Sequence, residues 1–128
     1  GFIISYTHNS VKENLGKIGV LVSFETEGKL DEFEGMPKQI AMHIAATKPL
    51  SLTQNELNKN LVDKERQILT DQTLATGKPK EIADKIVEGK LKKFFQEVVL
   101  EDQMFVVDGK TQIKNLIASY SKKIGKPI

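Results

Sequence analysis

The sequence predicts an α+β fold, a small antiparallel sheet packed with helices plus a protruding antiparallel helical hairpin, or coiled-coil arm. Three observations predict it. Two β-branched and aromatic runs, Phe2–Tyr6 and Ile18–Phe24, flank a polar stretch and read as a strand pair. Two segments of helical spacing, Leu61–Ala75 and Pro79 to about Val99, meet at Gly77-Lys78-Pro79. Glycine there suits a left-handed cap, and proline suits the first turn of the next helix. Further helical segments, Pro37–Ala46 and Thr111–Lys123, give the sheet something to pack on.

In chain order, Thr7–Lys17 carries Asn9, Ser10, Asn14 and Gly16 and reads as the connection between antiparallel strands. Glu25–Gly28 closes the second strand. Helical spacing runs from Leu30 to Ala46, with Pro37 at a helix start or at a kink after Gly35, so the helix is set at Pro37–Ala46. Thr47-Lys48-Pro49 ends it, because a residue before proline avoids the helical region, and Ser51 or Thr53 can cap a short helix through Leu57. Each arm of the hairpin is about 25–30 Å long at 1.5 Å per residue. Met104–Val107 reads as a short extended run and Asp108-Gly109 as a turn. Thr111–Lys123 is amphipathic, with Ile113, Leu116, Ile117 and Tyr120 inward and Gly125 beyond its end. Residues 1–60 and 100–128 are expected to form a globular part and 61–99 the arm, within one domain.

The helix faces say what each helix touches. In the first arm Leu61, Val62, Ile68 and Leu69 share one side, but Glu65 and Gln72 sit inside that stripe. Burying those groups unpaired would cost several kcal/mol, so the arm is expected to pack on one partner helix and stay wet elsewhere. In the second arm Ile82 and Ile86 point one way and Val87, Leu91, Phe94 and Val98 another, with Gly89 at the switch, which predicts a bend or a close approach there. On the 37–46 helix, Ile40, Ala41 and Ile44 form one face, leaving Met42 and His43 for a second surface, either another element of the domain or a partner protein.

The bulk numbers bound the function. At 128 residues, 39% apolar and 28% charged, the chain has the balance of a folded soluble protein. A net charge of +2 favours protein partners over nucleic acid. The absence of cysteine excludes disulfides and fits the cytoplasm. The longest apolar run, Ile18–Phe24, is broken by Gly19 and Ser23 and is far below the roughly 20 residues of a membrane span. The two histidines, His8 and His43, lack carboxylates at a ligand spacing, so no metal is expected. Gly77-Lys78 is followed by proline and lacks an upstream glycine, so no nucleotide or other cofactor is expected. Asp31, Glu32 and Glu34 read as a solvated first turn, and no nucleophile elbow occurs, so the chain is not expected to be an enzyme. Lys90, Lys92 and Lys93 beside Phe94 and Phe95 read as a solvated face next to a buried one rather than a nucleic-acid patch.

Ser5-Tyr6-Thr7-His8 followed by Lys17-Ile18-Gly19-Val20-Leu21-Val22 resembles the strand pair of the elongation factor Ts core. Further blocks follow in order: Ile40-Ala41-Met42-His43-Ile44-Ala45-Ala46-Thr47-Lys48-Pro49, then Gly77-Lys78-Pro79-Lys80-Glu81-Ile82, then Ile86-Val87-Glu88-Gly89-Lys90-Leu91-Lys92-Lys93-Phe94. The resemblance continues through Gln103-Met104-Phe105-Val106-Val107 and the last helix, covering almost the whole chain. It implies that the hairpin is the protruding arm of that family, and that the chain binds elongation factor Tu as part of a guanine nucleotide exchange factor. Carried over, Ile18, Gly19, His43, Val106 and Val107 fall where the family meets elongation factor Tu, and Met42 joins them on the face left open by the helix. Gly19 would let backbones approach, Ile18, Val106 and Val107 would bury apolar surface, and His43 would add a polar contact.

The departures matter too. The family's small helical domain, its Thr-Asp-Phe-Val segment acting at the magnesium and phosphate site, and its final strand are not matched in these residues. A start at Gly1 with Phe-Ile-Ile is expected to have been cut from something longer. Around Phe33–Pro37 the sequence is longer than the common pattern. The fragment is therefore expected to anchor its partner without promoting exchange. The alternatives are a self-associating structural module, in which the hairpin and an open sheet edge pair with a second copy as a homodimer, and an RNA-binding domain using Lys90–Phe95.

Overall fold

A computed structural model describes residues 1–9 and 16–128. They form a two-stranded sheet and four α-helices in an α+β arrangement. The strands are β1 (Phe2–His8) and β2 (Ile18–Phe24), and the helices are α1 (Met36–Thr47), α2 (Lys59–Leu74), α3 (Lys80–Val98) and α4 (Ile113–Ile124). The chain divides into two compact units, one of residues 1–48 with 104–128 and one of residues 49–103. The second is therefore inserted in the sequence of the first.

In the first unit β1 and β2 pair antiparallel from Phe2↔Phe24 to His8↔Ile18. Because side chains alternate across a strand, Phe2, Ile4, Tyr6, Val20, Val22 and Phe24 share one face. The connection expected at Thr7–Lys17 proves shorter at its start, since Thr7 and His8 continue the strand, and its residues 10–15 lie outside the described ones. Helix α1 packs on both strands. Its entry turns through left-handed Glu34 and Gly35, with Pro37 in the first turn, so the kink alternative does not apply. Lys48, also left-handed, closes its end by donating its amide to the Ile44 carbonyl at 2.9 Å.

The buried arc of α1 differs from the expected one. It runs from His43 through Met36, Ile40, Pro37 and Ala41 to Ala45, about 200° around the helix at 100° per residue. Ile44 and Met42 are half-buried. Of the two readings for the second surface of this helix, His43 takes the first: it is buried against another element of its own unit, because a helix flanked by other elements buries more than one face. Before α1, the 3-10 turn Leu30–Phe33 inserts Phe33 completely, with its ring edge-on to Phe2 at 5.3 Å. The Lys29 amide donates to the Glu32 carboxylate at 2.7 Å, which holds the Glu32 pKa below its ordinary value. From α4, Lys123 reaches Glu34 at 2.7 Å and has its pKa raised by that carboxylate, and Lys126, beyond the helix end, reaches Glu32 at 3.5 Å. Both pairs are exposed and add little to stability. Gly125 caps α4 in the left-handed conformation, and Ile113 is its fully buried anchor.

The second unit holds the hairpin. Asn58, which the sequence reading passed over, caps α2 by accepting the Asn60 amide at 2.9 Å. Gly77 turns the chain with φ of +79°, and Pro79 stands at the N-cap of α3. The two helices pack together, and exposure falls along Val62, Glu65, Leu69 and Thr73 on one and Ala83, Val87 and Leu91 on the other. One partner helix covers a narrow seam, so Leu61, Ile68 and Ile82 stay exposed, contrary to the broader stripes expected. The hydroxyl of buried Thr73 is satisfied by the Leu69 carbonyl at 2.7 Å. Arg66 pairs with Glu88 between the helices. Helix α3 runs unbroken through Gly89, where an added Cβ would meet nothing within 4 Å, so close approach does not explain that glycine.

The hairpin base also belongs to this unit. Residues 50–52 run beside 98–101, joined by the Ser51↔Val99 bridge and by amides of Leu50, Leu100 and Glu101. The expected helix through Leu57 is reduced to a 3-10 turn at Gln54–Glu56. Gln54 donates to Asp102 at 2.6 Å, and the side chain of Gln103 donates to the Glu97 carbonyl at 2.8 Å. Polar groups thus close the base where the two chain segments meet.

Candidate functional site

The most built exposed feature is the loop between Phe105 and Thr111. Its neck is closed by the Phe105 amide donating to the Thr111 carbonyl at 2.7 Å, beside a Met104↔Gln112 bridge. Its tip is closed by the Gly109 amide donating to the Phe105 carbonyl at 2.7 Å, with Gly109 at a φ of +69°. The expected extended run at Met104–Val107 is therefore corrected. Only Met104 bridges in strand fashion, and Val106 and Val107 enter a turn because the backbone closes on itself. Buried Phe105 anchors the loop, while Met104, Val106 and Val107 are 43%, 44% and 51% exposed.

Asp108 locks the tip. Its Oδ1 accepts the Lys110 amide at 2.9 Å and the Thr111 amide at 3.0 Å. These donors, the Lys110 amide first and then the hydroxyl and amide of Thr111, hold the carboxyl at a pKa of about 2, against an ordinary value of 3.8. A carboxylate whose folded pKa is depressed stabilises the fold above its unfolded pKa and loses that contribution as the pH falls. The Asp108 contribution should therefore be intact at pH 4 and disappear through about pH 2. Carboxyl carbon shifts should titrate near that value, and in Asp108→Ala the Lys110 and Thr111 amides should exchange faster. A titration near 4 would show that the cap does not form.

Of the site residues expected from the sequence, the structure joins His43 and Val106. The Val106 amide donates to His43 Nδ1 at 3.2 Å, and the imidazole lies 6.1 Å from the Phe105 ring, centroid to centroid. Val107 follows at the exposed tip, and Met42 is half-buried beside His43 in α1. Ile18 and Gly19 lie on opposite faces of β2: Ile18 pairs with His8 on the face turned to α1, and Gly19 pairs with Thr7 on the outer face. An added Cβ at Gly19 would meet nothing, so that position is open.

The sequence reading missed the company Gly19 keeps. Ile3 and Leu21, 69% and 76% exposed, stand on the same outer face. Period-two alternation could have found them: once Phe2, Ile4, Val20 and Val22 face inward, Ile3 and Leu21 must face out. Met104 was missed too, because exposure in a loop leaves no periodic trace. On α3, Lys90, Lys92 and Lys93 are exposed beside half-buried Phe94 and Phe95. Among the described residues no cluster of three or more His, Asp or Glu could hold a metal, and no helix is long and apolar enough to cross a membrane.

These features define a class: a small α+β protein carrying an inserted helical hairpin and an apolar loop displayed on a hydrogen-bonded frame. The family model described as Elongation factor TS matches residues 1–128. The chain is 44% identical to the elongation factor Ts of Rhodospirillum centenum and to that of Orientia tsutsugamushi, each over 128 residues. That of Zymomonas mobilis is also 44% identical over the whole chain. The chain spans 41–42% of the length of these curated relatives. It belongs to the elongation factor Ts family.

Proposed function

We propose that this chain is the elongation factor Tu-binding core of an elongation factor Ts and serves translation elongation in the cytoplasm. The observation that carries the reading is the Val106-Val107 tip, apolar, exposed and held by backbone hydrogen bonds to buried Phe105 and by His43. A pre-ordered apolar tip loses little conformational entropy on docking and gains by leaving water. Gly19 on the open face of β2 would add a second approach for partner backbone, and Met42 a flanking apolar contact. The chain acts without catalytic side-chain chemistry.

Exchange follows from linkage: a protein that binds the nucleotide-free partner more tightly than the nucleotide-bound one weakens nucleotide binding by the same free energy. We assign residues 1–128 the anchoring part of this linkage, on the apolar tip and the open strand face they present. Calorimetric titration into GDP-free elongation factor Tu should show saturable binding. Release of fluorescent GDP should be little accelerated by the same chain. Absence of binding would sink the proposal, and acceleration like that of a complete factor would sink the division between anchoring and exchange.

Exposed Ile3 and Leu21 favour a second reading, self-association through the outer face of the sheet. It predicts a mass that rises with concentration and returns to the monomer value in Leu21→Lys.

A further inference from the structure

A buried imidazole must satisfy its nitrogens, and a neutral one offers a donor on one side and an acceptor on the other. His43 is 0% exposed, so it presents no surface to another protein in the free chain. Its Nδ1 faces the Val106 N–H at 3.2 Å and accepts from it, which places the ring proton of the neutral form on Nε2. Two bonds, Phe105 amide to Thr111 carbonyl and Gly109 amide to Phe105 carbonyl, close the loop on itself. The Nδ1 bond is of another kind: it spans 63 residues of sequence and ties the loop to α1. It does so at the peptide from which the exposed valines project.

We propose that His43 is a positioning residue, acting on the partner through the Val106 amide rather than by touching it. The buried acceptor fixes where the Val106-Val107 tip stands against α1. This inference rests on the reading of that tip as a partner contact. Without the acceptor the loop remains closed on itself but its tip is free to move, and the partner must then select the competent position from a wider set. The Phe105 ring contact with the imidazole is a packing contact, separable from the hydrogen bond by chemistry.

Two substitutions separate the roles. His43→Asn places a carbonyl oxygen close to the position of Nδ1 and removes the ring. His43→Phe keeps a ring for Phe105 to pack on and removes the acceptor. Amide exchange of Val106 in the free 128-residue chain reads the bond directly, and titration into GDP-free elongation factor Tu reads its consequence. Val107→Asp serves as the control for the contact. The Phe variant should lose Val106 protection and bind about tenfold more weakly, the order expected for a buried N–H left unpaired. The Asn variant should retain protection and bind within about threefold of the parent.

The reverse order, Phe retaining affinity and Asn losing it, would overturn the proposal in favour of packing or direct ring contact. Loss of Val106 protection in the Phe variant with unchanged affinity would overturn the link to the partner and leave the docking reading standing, provided Val107→Asp still weakens binding. Full affinity in Val107→Asp would remove the docking reading and this inference with it.

Discussion

Phe33→Ala is expected to destabilise the first unit by about 3–5 kcal/mol, the range for deleting a buried aromatic ring. Phe33 is completely buried, and its ring stands edge-on to Phe2, which in turn stacks on Phe24 at 5.3 Å. An added Cβ at Gly28 would stand 2.9 Å from the Phe33 ring, so the backbone already approaches the ring as closely as glycine permits. That backbone cannot collapse far into the vacated volume, because the 3-10 turn is held by the Lys29 amide bond to Glu32 and by the left-handed residues before α1. A persistent cavity puts the cost at the upper end of the range. Since whole domains are stable by only about 5–15 kcal/mol, the substitution should remove a large share of the total. The measurement is simple here. The chain has no tryptophan and two tyrosines, Tyr6 and Tyr120, both in the first unit, so denaturant unfolding followed by tyrosine emission reports that unit. A change below about 1 kcal/mol would mean that the ring is not the anchor its burial implies.

Phe33 also marks where the sequence stopped being legible. The strands, α1, the hairpin and α4 were readable because each carries a local signal: alternation, a 3.6-residue period, a glycine or proline at an end. Phe33 itself sits in a 3-10 turn too short for a period to show, and its ring is buried by tertiary contact with Phe2. The buried side of α1 failed for a related reason. Helical spacing ranks faces by apolar content, so it put Ile44 on the packed face and left His43 to a second surface without saying what covers it, whereas His43 is fully buried with its nitrogen bonded to sequence-distant Val106. In α2 and α3 the period was right but the width was not: a seam shared with one helix left Leu61, Ile68 and Ile82 exposed. At the candidate site Ile18, Gly19, His43, Val106 and Val107 came from family resemblance, and Met42 from the helix face. What resemblance left out was their division into a buried strut, His43, and exposed tip residues, Val106 and Val107, which depends on how the loop closes.

That division makes Val107→Asp the substitution with the largest expected effect on binding. Val107 is 51% exposed in the free chain, so an aspartate there remains solvated, and surface changes of this kind usually alter stability by less than about 0.5 kcal/mol. The closing bonds of the loop come from Phe105, Gly109 and Asp108, whose groups the substitution leaves in place. In the proposed complex the same carboxylate would be carried out of water into an apolar contact. Burying a charge without a partner costs several kcal/mol, and the apolar area of the valine is lost besides. A penalty of about 3 kcal/mol corresponds to a weakening of roughly 100-fold or more in affinity for GDP-free elongation factor Tu. Val107→Ala, which removes two methyl groups and adds no charge, should weaken binding by about tenfold or less. A ranking in which alanine costs as much as aspartate would indicate that the valine shapes the loop rather than meets the partner. The unfolding curve of the aspartate variant distinguishes the two directly, because a shaping role lowers stability in the free chain and a docking role leaves it unchanged.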